Sequence, residues 1–363
     1  MRVALVHDYL VQGIRGAERV LSVLHELWPE APVYTLVHDP QAMGDHCAGW
    51  DIRTSILQRI PGGVRHYQRL FALMPWAVER LPLADYDLVI SSSSAWVKSV
   101  RTRPGATHVC YCHSPARFLW HWSEEYIDTF KAGGAGKWAA RKLIPRLRAW
   151  DRRTAQRPTH YVANSETVRE RIRRYWERDA TVIPPPVETG GFVPEDVDED
   201  YYLVVAALTP YKSVDLAIEA FNELGRPLVV VGDGPLRRDL EQLAQPDVRL
   251  LGKVPEGDVR RLYARCRAFV MPQEEDFGIA AVEAMSAGRP VIAYGAGGAV
   301  EAVVEDETGV FFREQTTAAL VDAVRRFEGM RFDKTRCRER ALQFDTERFK
   351  RRFSQFVAER TTA

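Results

Sequence analysis

The chain lacks the marks of a disulfide scaffold, a membrane span and a nucleic-acid binder. Five cysteines among 363 residues, an odd number in a long chain, argue against a disulfide framework. The longest strongly apolar run, around Tyr201–Leu208, is far shorter than the roughly 20 residues of a bilayer-crossing helix. Net charge is +1, so no global field points to nucleic acid. Met1 and Arg2 lead straight into a strand-like Val-Ala-Leu-Val without a signal-peptide layout, and a cytoplasmic location is expected. No internal repeat, no low-complexity tract and no Asp-x-Asp pair near a strand end is seen.

What is present is an α/β alternation. The sequence predicts a strand over Arg2–His7, a loop with Gly13 and Gly16, and an apolar-periodic helix over Ala17–Trp28. Further strands are expected over Ala31–Leu36, Leu88–Ser91, His108–Tyr111 and His160–Ala163. Ile183-Pro184-Pro185-Pro186 and the acidic Pro194–Asp200 stretch read together as a linker. A second series follows: strand Tyr202–Ala207, helix Val214–Leu224, strand Pro227–Val231, then strands near Val248–Leu251, Ala268–Met271 and Val291–Ala293. This pattern predicts two parallel sheets with helices on both faces. The expected division is 1–185 and 186–344, with a last helix over 345–363 carrying Phe349, Phe353 and Phe356 on one face.

Chemistry-bearing residues gather at strand ends in the second half. Lys212 follows the Tyr202 strand, and Lys is a point charge suited to a diphosphate. Val231-Gly232-Asp233-Gly234 and Gly295-Ala296-Gly297-Gly298 are glycine turns that permit close backbone approach. Glu275-Asp276-Phe277-Gly278-Ile279 ends in Glu283, with Gly278 opening a helix whose free N–H groups suit an anion or a hydroxyl-rich ligand. Each feature alone reads as a tight turn or a solvated glutamate. Four such loops after four strands are hard to explain as turns only.

These residues resemble the retaining glycosyltransferases of family 4, and within them the bacterial mannosyltransferases of O-antigen and surface-polysaccharide assembly. The likeness also runs through His7-Asp8-Tyr9, Arg15-Gly16-Ala17-Glu18, Tyr86-Asp87-Leu88-Val89-Ile90-Ser91-Ser92, Cys110-Tyr111-Cys112-His113-Ser114-Pro115, Ala163-Asn164-Ser165 and Pro185-Pro186-Val187. It implies the GT-B fold: two facing Rossmann-like domains, the first on the acceptor side, the second binding the donor, and a C-terminal crossover helix. It implies transfer of a hexose, mannose from GDP-mannose, to a lipid-linked saccharide or polysaccharide, without an obligate metal or other cofactor. Lys212 would hold the donor diphosphate, Glu283 the ribose and Glu275 the hydroxyls of the moving sugar. The amides of Phe277, Gly278 and Ile279 would cradle sugar and phosphate, with Gly232 at a neighbouring donor loop. His113 would lie in the cleft against the donor sugar, and Gly16 would bring its amide to the phosphate. Three positions depart from the family pattern: Ala207 stands where Arg is common, Ser213 where a basic residue is common, and Ala17 where the family has the second Gly of its N-terminal pair. The first two leave open a different donor, and they keep alive a non-catalytic sugar-nucleotide-binding subunit beside an epimerase-type enzyme of the same fold.

His108, Cys110, Cys112, His113 and His121 could also be read as a metal cluster. Strand alternation favours instead a buried-cysteine strand ending in a functional histidine. The Lys137–Arg157 segment holds eight Lys or Arg and one Asp, interleaved with Trp138, Leu143, Ile144, Leu147 and Trp150. It reads either as a helix lying on an anionic membrane or as a solvated basic helix of its own domain. Arg65–Trp76 is a second segment of that kind. Nucleic acid is not expected, since no recognition motif accompanies the charge.

Overall fold

A computed structural model describes every residue except 122, 124–126, 128–133, 198, 362 and 363. The chain forms two compact units, Met1–Pro184 with Phe349–Ala363, and Pro185–Arg348. The breaks fall within one residue of the expected first boundary and four residues after the expected second one.

The first unit is built on seven strands: β1 (Val3–Leu10), β2 (Val33–His38), β3 (Ile52–Thr54), β4 (Leu88–Ser93), β5 (Thr107–Cys112), β6 (His160–Ala163) and β7 (Thr181–Val182). Their order is β3-β2-β1-β4-β5-β6-β7, and every pairing is parallel. The central strands are buried on both faces, which is why they read as continuous apolar runs. The helix Gly16–Leu27 buries Val20, Leu21, Val23 and Leu24. Its first turn is closed by Arg15 N–H donating to Glu18 Oε2 at 3.1 Å, an acceptor at the positive end of the helix. The last helix, Thr346–Thr361, buries Phe349, Phe353, Phe356 and Val357 in the same core as β1, β4 and β5. Phe349 and Phe353 meet the Tyr111 ring edge-on.

The second unit carries β8 (Tyr202–Val205), β9 (Leu228–Val231), β10 (Val248–Gly252), β11 (Ala268–Met271), β12 (Val291–Tyr294) and β13 (Gly309–Phe312). Their order is β10-β9-β8-β11-β12-β13, again with parallel pairing throughout. Alternate strand residues feed two apolar clusters, one on each face.

Strands β3, β7 and β13 were not anticipated. The acidic stretch expected as part of a linker is instead packed onto its own unit. Glu195 and Glu199 pair with Arg265, and Asp200 with Arg267. The buried Arg289 guanidinium donates to the carbonyls of Glu195 and Val197 at 3.0 Å. The charges that made this segment look solvated are neutralised by Arg partners more than 60 residues away. Among the described residues no helix is long and apolar enough to cross a membrane.

Candidate functional site

In an open parallel sheet the connections leave in opposite directions from one central pair of strands, and the crevice above their C-terminal ends is where ligands bind. In the second unit that pair is β8 and β11. Lys212 ends a short 3-10 turn after β8, and Glu275 lies in the loop after β11. The structure brings them together: Lys212 Nζ bonds Glu275 Oε1, and Gln273 Nε2 donates to the same oxygen at 2.8 Å. Gln273 is buried, and its Oε1 is a buried acceptor without a hydrogen-bond partner among the described residues.

The glycine turns are also packed closely against the protein's own backbone. A Cβ on Gly298 would stand 2.2 Å from Phe277 Cα, and one on Gly297 2.2 Å from the Glu275 carbonyl oxygen. Gly298 N–H donates to that oxygen at 2.7 Å. The pair of glycines therefore lets the Gly295–Gly298 turn press against the Glu275 loop and fix its course. Gly232, at φ +135°, would place a Cβ 1.8 Å from the Ala206 carbonyl oxygen. It keeps the loops after β8 and β9 in contact.

Gly278, at φ +93°, caps the helix Ile279–Ser286. The amides of Phe277, Gly278 and Ile279 head this helix, where N–H groups lack acceptors within the helix. The Phe277 ring is buried on Phe344. Glu283 is also buried, 7% exposed, and Tyr263 Oη donates to it at 3.2 Å. Ser213 takes a left-handed φ of +48° and its Oγ accepts from Gln315 Nε2 at 3.0 Å. It ends the Lys212 turn rather than adding charge to it, and Ala207 adds none either.

The first unit has the same topology, with its central pair at β1 and β4. Near their C-terminal ends Asp8, buried, accepts four backbone N–H groups, from Ser94, Ala95, Trp96 and Val97, at 2.6–3.0 Å. This locks the loop after β4. His7 Nδ1 lies 3.1 Å from Ser92 Oγ, and Ser92 Oγ lies 2.8 Å from His113 Nε2. His7 Nε2 is 3.7 Å from Glu18 Oε1. His113 follows β5 directly, its N–H donating to Ser93 and its carbonyl accepting from Asn164. Gly16 is the first residue of the Gly16–Leu27 helix, next to this cluster in sequence.

Asp8, Ser92, Gln273 and Tyr263 were not singled out from the sequence as site residues. The available signal was Ser91-Ser92-Ser93: three hydroxyls closing an otherwise apolar strand must have polar partners inside. The cysteines behave as a core strand. Cys110 and Cys112 point together into an apolar cluster with Tyr161 and Trp176, and burial pushes the Cys110 thiol up to about 12. His108 bonds Ser91 at 2.8 Å, and burial pushes it down to about 3, a neutral structural imidazole.

The basic segment up to Thr154 lies on one helix, Gly134–Thr154, with Arg157 beyond its end. Its inner face is fully engaged: Ile144 and Leu147 are buried, and Lys98 Nζ meets Asp151 Oδ1 at 2.8 Å with both side chains at 0% exposure. Trp120 and Trp176 donate to Asp151 Oδ2. Trp150 donates to Glu79 and packs on Trp96, so it is not available to enter a bilayer. Arg148 bonds the Leu119 carbonyl and Ser123 Oγ. The outer face is one stripe of Trp138 (63% exposed), Arg141, Lys142, Arg146 and Arg153.

Comparison with known proteins matches residues 14–190 to the family model described as Glycosyltransferase Family 4 and residues 191–344 to that described as Glycosyl transferases group 1. O-antigen chain mannosyltransferase C of Escherichia coli is 28% identical over 183 residues, 46% of this chain and 48% of that protein. The GDP-mannose-dependent alpha-(1-6)-phosphatidylinositol monomannoside mannosyltransferase of Mycobacterium tuberculosis is 30% identical over 172 residues, 39% of this chain and 45% of that protein. These matches span about half the length of the relatives. Among solved structures, Anabaena HepE in complex with UDP superposes with TM-score 0.70 at 17% identity, over 99% of this chain and 100% of that one. Sucrose-phosphate synthase from Thermosynechococcus elongatus superposes with TM-score 0.71 at 19% identity, over 99% of both chains.

Proposed function

We infer that this chain, a member of glycosyltransferase family 4 with the GT-B fold, transfers a hexose from a nucleotide sugar. The observation that carries the reading is the meeting of Lys212, Glu275 and Gln273 at the central strand pair of the second unit, beside the helix headed by Gly278.

The chemistry follows from the parts. Glycosyl transfer needs a leaving diphosphate that gains charge and a sugar that becomes oxocarbenium-like. A cation and aligned N–H groups stabilise the first, and in this reading Lys212 and the amides of Phe277, Gly278 and Ile279 supply them. Glu275 accepts from hydroxyls of the moving sugar, and Glu283 from those of the ribose. The resemblance assigns Gly16 to the phosphate and His113 to the sugar. It also implies retention of configuration, the departing phosphate oxygen taking the acceptor's proton on the same face, without a metal.

The mannosyltransferase relatives support mannose and GDP-mannose as the donor. The acceptor in this reading is a lipid-linked saccharide or polysaccharide. The stripe of Trp138 and basic residues on the Gly134–Thr154 helix would hold the enzyme at an anionic membrane surface on the cytoplasmic side. A thermal-shift panel of GDP, UDP, GDP-mannose, UDP-glucose and UDP-galactose tests the donor. A ligand at 100 times its dissociation constant adds about 2.7 kcal/mol, and the reading requires the largest shift from GDP-mannose. A larger shift with a UDP sugar would replace the donor, and no shift with any of them would remove the transferase reading.

A further inference from the structure

We propose that Gln273 is a positioning residue for Glu275: its amide N–H holds the carboxylate in place when Lys212 turns to the donor diphosphate. The proposal rests on the reading of Glu275 as the acceptor of the moving sugar's hydroxyls and of Lys212 as the diphosphate cation.

The direction of the bond follows from its company. Gln273 Nε2 lies 2.8 Å from Glu275 Oε1, and Lys212 Nζ bonds the same oxygen. An ammonium can only donate, so that oxygen is an acceptor, and the Gln273 group facing it must donate as well. The reverse orientation of the amide would set two oxygens against each other, one of them anionic. The amide therefore turns its nitrogen toward Glu275 and its Oε1 away. Both bonds fall on Glu275 Oε1, and Glu275 Oε2 takes no hydrogen bond among the described residues. In this reading Oε2 is the oxygen that meets a sugar hydroxyl.

The loop around this bond is tied on both sides. The Pro272 carbonyl accepts from Gln315 Nε2 at 3.1 Å, and the same nitrogen donates to Ser213 Oγ at 3.0 Å. The Glu275 carbonyl accepts from Gly298 N–H at 2.7 Å. With the backbone held just before Gln273 and again at Glu275, the rotation of the carboxylate remains to be set. An N–H group fixed on one of its oxygens sets it.

Lys212 and Gln273 share that task only until a sugar nucleotide arrives. In the proposed function Lys212 leaves Glu275 for the diphosphate, and Gln273 stays on Oε1. The carboxylate then keeps its orientation while its cation is drawn away. Gln273 is 5% exposed, and its own Oε1 is buried without a hydrogen-bond partner among the described residues. A buried carbonyl in that state lowers stability rather than adding to it. The fold therefore gains little from an amide at this position, and the bond to Glu275 is what the amide supplies.

The test is steady-state turnover by the full chain in mildly alkaline buffer, with calorimetric binding of the nucleoside diphosphate alongside. The substrate is GDP-mannose, or the UDP sugar if the thermal-shift panel selects one. Gln273→Met fills similar space without an N–H. Its turnover should fall on the order of tenfold, the loss expected for one bond to a charged group. Its diphosphate affinity and melting temperature should stay at the parental values. Gln273→Glu keeps the shape, loses the N–H and should lose as much turnover. The deciding measurement is a double variant: adding Gln273→Met to Glu275→Ala should cost no further turnover, because Gln273 acts through Glu275. Parental turnover in both Gln273 variants, or a full additional loss in the Glu275→Ala background, overturns the proposal. A fall in diphosphate affinity alongside turnover also overturns it, by making Gln273 a support of the whole loop. Parental turnover in Glu275→Ala instead sinks the sugar-contact reading, and the proposal falls with it.

Discussion

Lys212 and Glu275 lie 63 residues apart in sequence and are bonded to each other at the C-terminal edge of the second sheet. Both side chains are mostly buried, 16% and 14% exposed, so a cation and an anion are held side by side; in the proposed function a diphosphate and a sugar divide them. The expected outcomes differ by ligand. Lys212→Ala should weaken both GDP and GDP-mannose by about 1.5–3 kcal/mol, the worth of one charge-assisted bond. Glu275→Ala should leave GDP affinity intact and cut turnover with GDP-mannose, because GDP has no sugar to hold. Glu283→Ala should weaken GDP itself. Calorimetric titration of the two ligands separates these cases, and parental GDP affinity in Lys212→Ala would assign the phosphate to another residue. Ala207→Arg supplies the charge common at that position in the family and should tighten GDP.

Gly298 makes a sharper test of the same loop because it reaches no ligand in this reading. Alanine there would put Cβ 2.2 Å from Phe277 Cα and 2.5 Å from the Asp276 carbonyl oxygen. Backbone cannot yield cheaply at such distances, so the Glu275 loop should move. Gly298→Ala is expected to lose donor affinity, whereas Gly257→Ala, with nothing within 4 Å of the added carbon, should bind as the parent does. Equal donor affinity in the two variants would mean that the glycine pair does not position Glu275.

The sequence made the long buried strands and the loop residues at their ends legible, because parallel strands give unbroken apolar runs and ligands gather at their C-terminal ends. Helix Val214–Leu224 and strand Ala268–Met271 fall where periodicity put them. The misses have physical causes. Strands Ile52–Thr54 and Thr181–Val182 are too short to show a period, and Gly309–Phe312 is four residues without a polar alternate. The Pro194–Asp200 stretch looked like linker because its Arg265, Arg267 and Arg289 partners are remote in sequence. Gly297 and Gly298 were read as permitting a ligand's approach, and their close packing against Glu275 and Phe277 was not foreseen, because those contacts are made between separate loops. The Ser92 bridge between His7 and His113 joins three separate strand ends. Only the sheet order, β1 beside β4 beside β5, brings them together.

The Lys98–Asp151 pair should dominate the stability of the first unit. Both groups are fully buried, and Asp151 also accepts from two tryptophans. Removing one member leaves a buried charge without its counterion, at a cost of about 3–5 kcal/mol. Lys98→Met should lower the urea midpoint accordingly, followed by tryptophan fluorescence, since Trp150 and Trp176 lie within 6 Å of the ammonium. Asp151→Ala should be worse, because it also strands the Trp120 and Trp176 N–H groups. A Lys98→Met midpoint equal to the parent's would show that the pair contributes nothing beyond its packing.

The outer stripe of the Gly134–Thr154 helix supports the remaining prediction, that the enzyme docks on anionic lipid. Arg141, Lys142, Arg146 and Arg153 are exposed, and Trp138, at 63% exposure, stands at the same face with Lys142 over its ring. Each basic residue near such a surface contributes about 1 kcal/mol, an attraction screened over about 8–10 Å at ordinary salt. Binding to vesicles should therefore rise with the phosphatidylserine fraction and fall as salt is added. Replacing the four basic residues by Gln should release the protein into the supernatant, and Trp138→Ala should weaken the part of binding that salt does not remove. Arg148 stays in both variants, because it ties the helix to Leu119 and Ser123 and its loss would report on folding. Transfer to a short soluble acceptor should continue at the parental rate, since none of the five side chains belongs to the Lys212 and Glu275 cluster. If the quadruple variant sediments with anionic vesicles as fully as the parent, the stripe is a solvated surface, and the case for a membrane-borne acceptor loses its physical support.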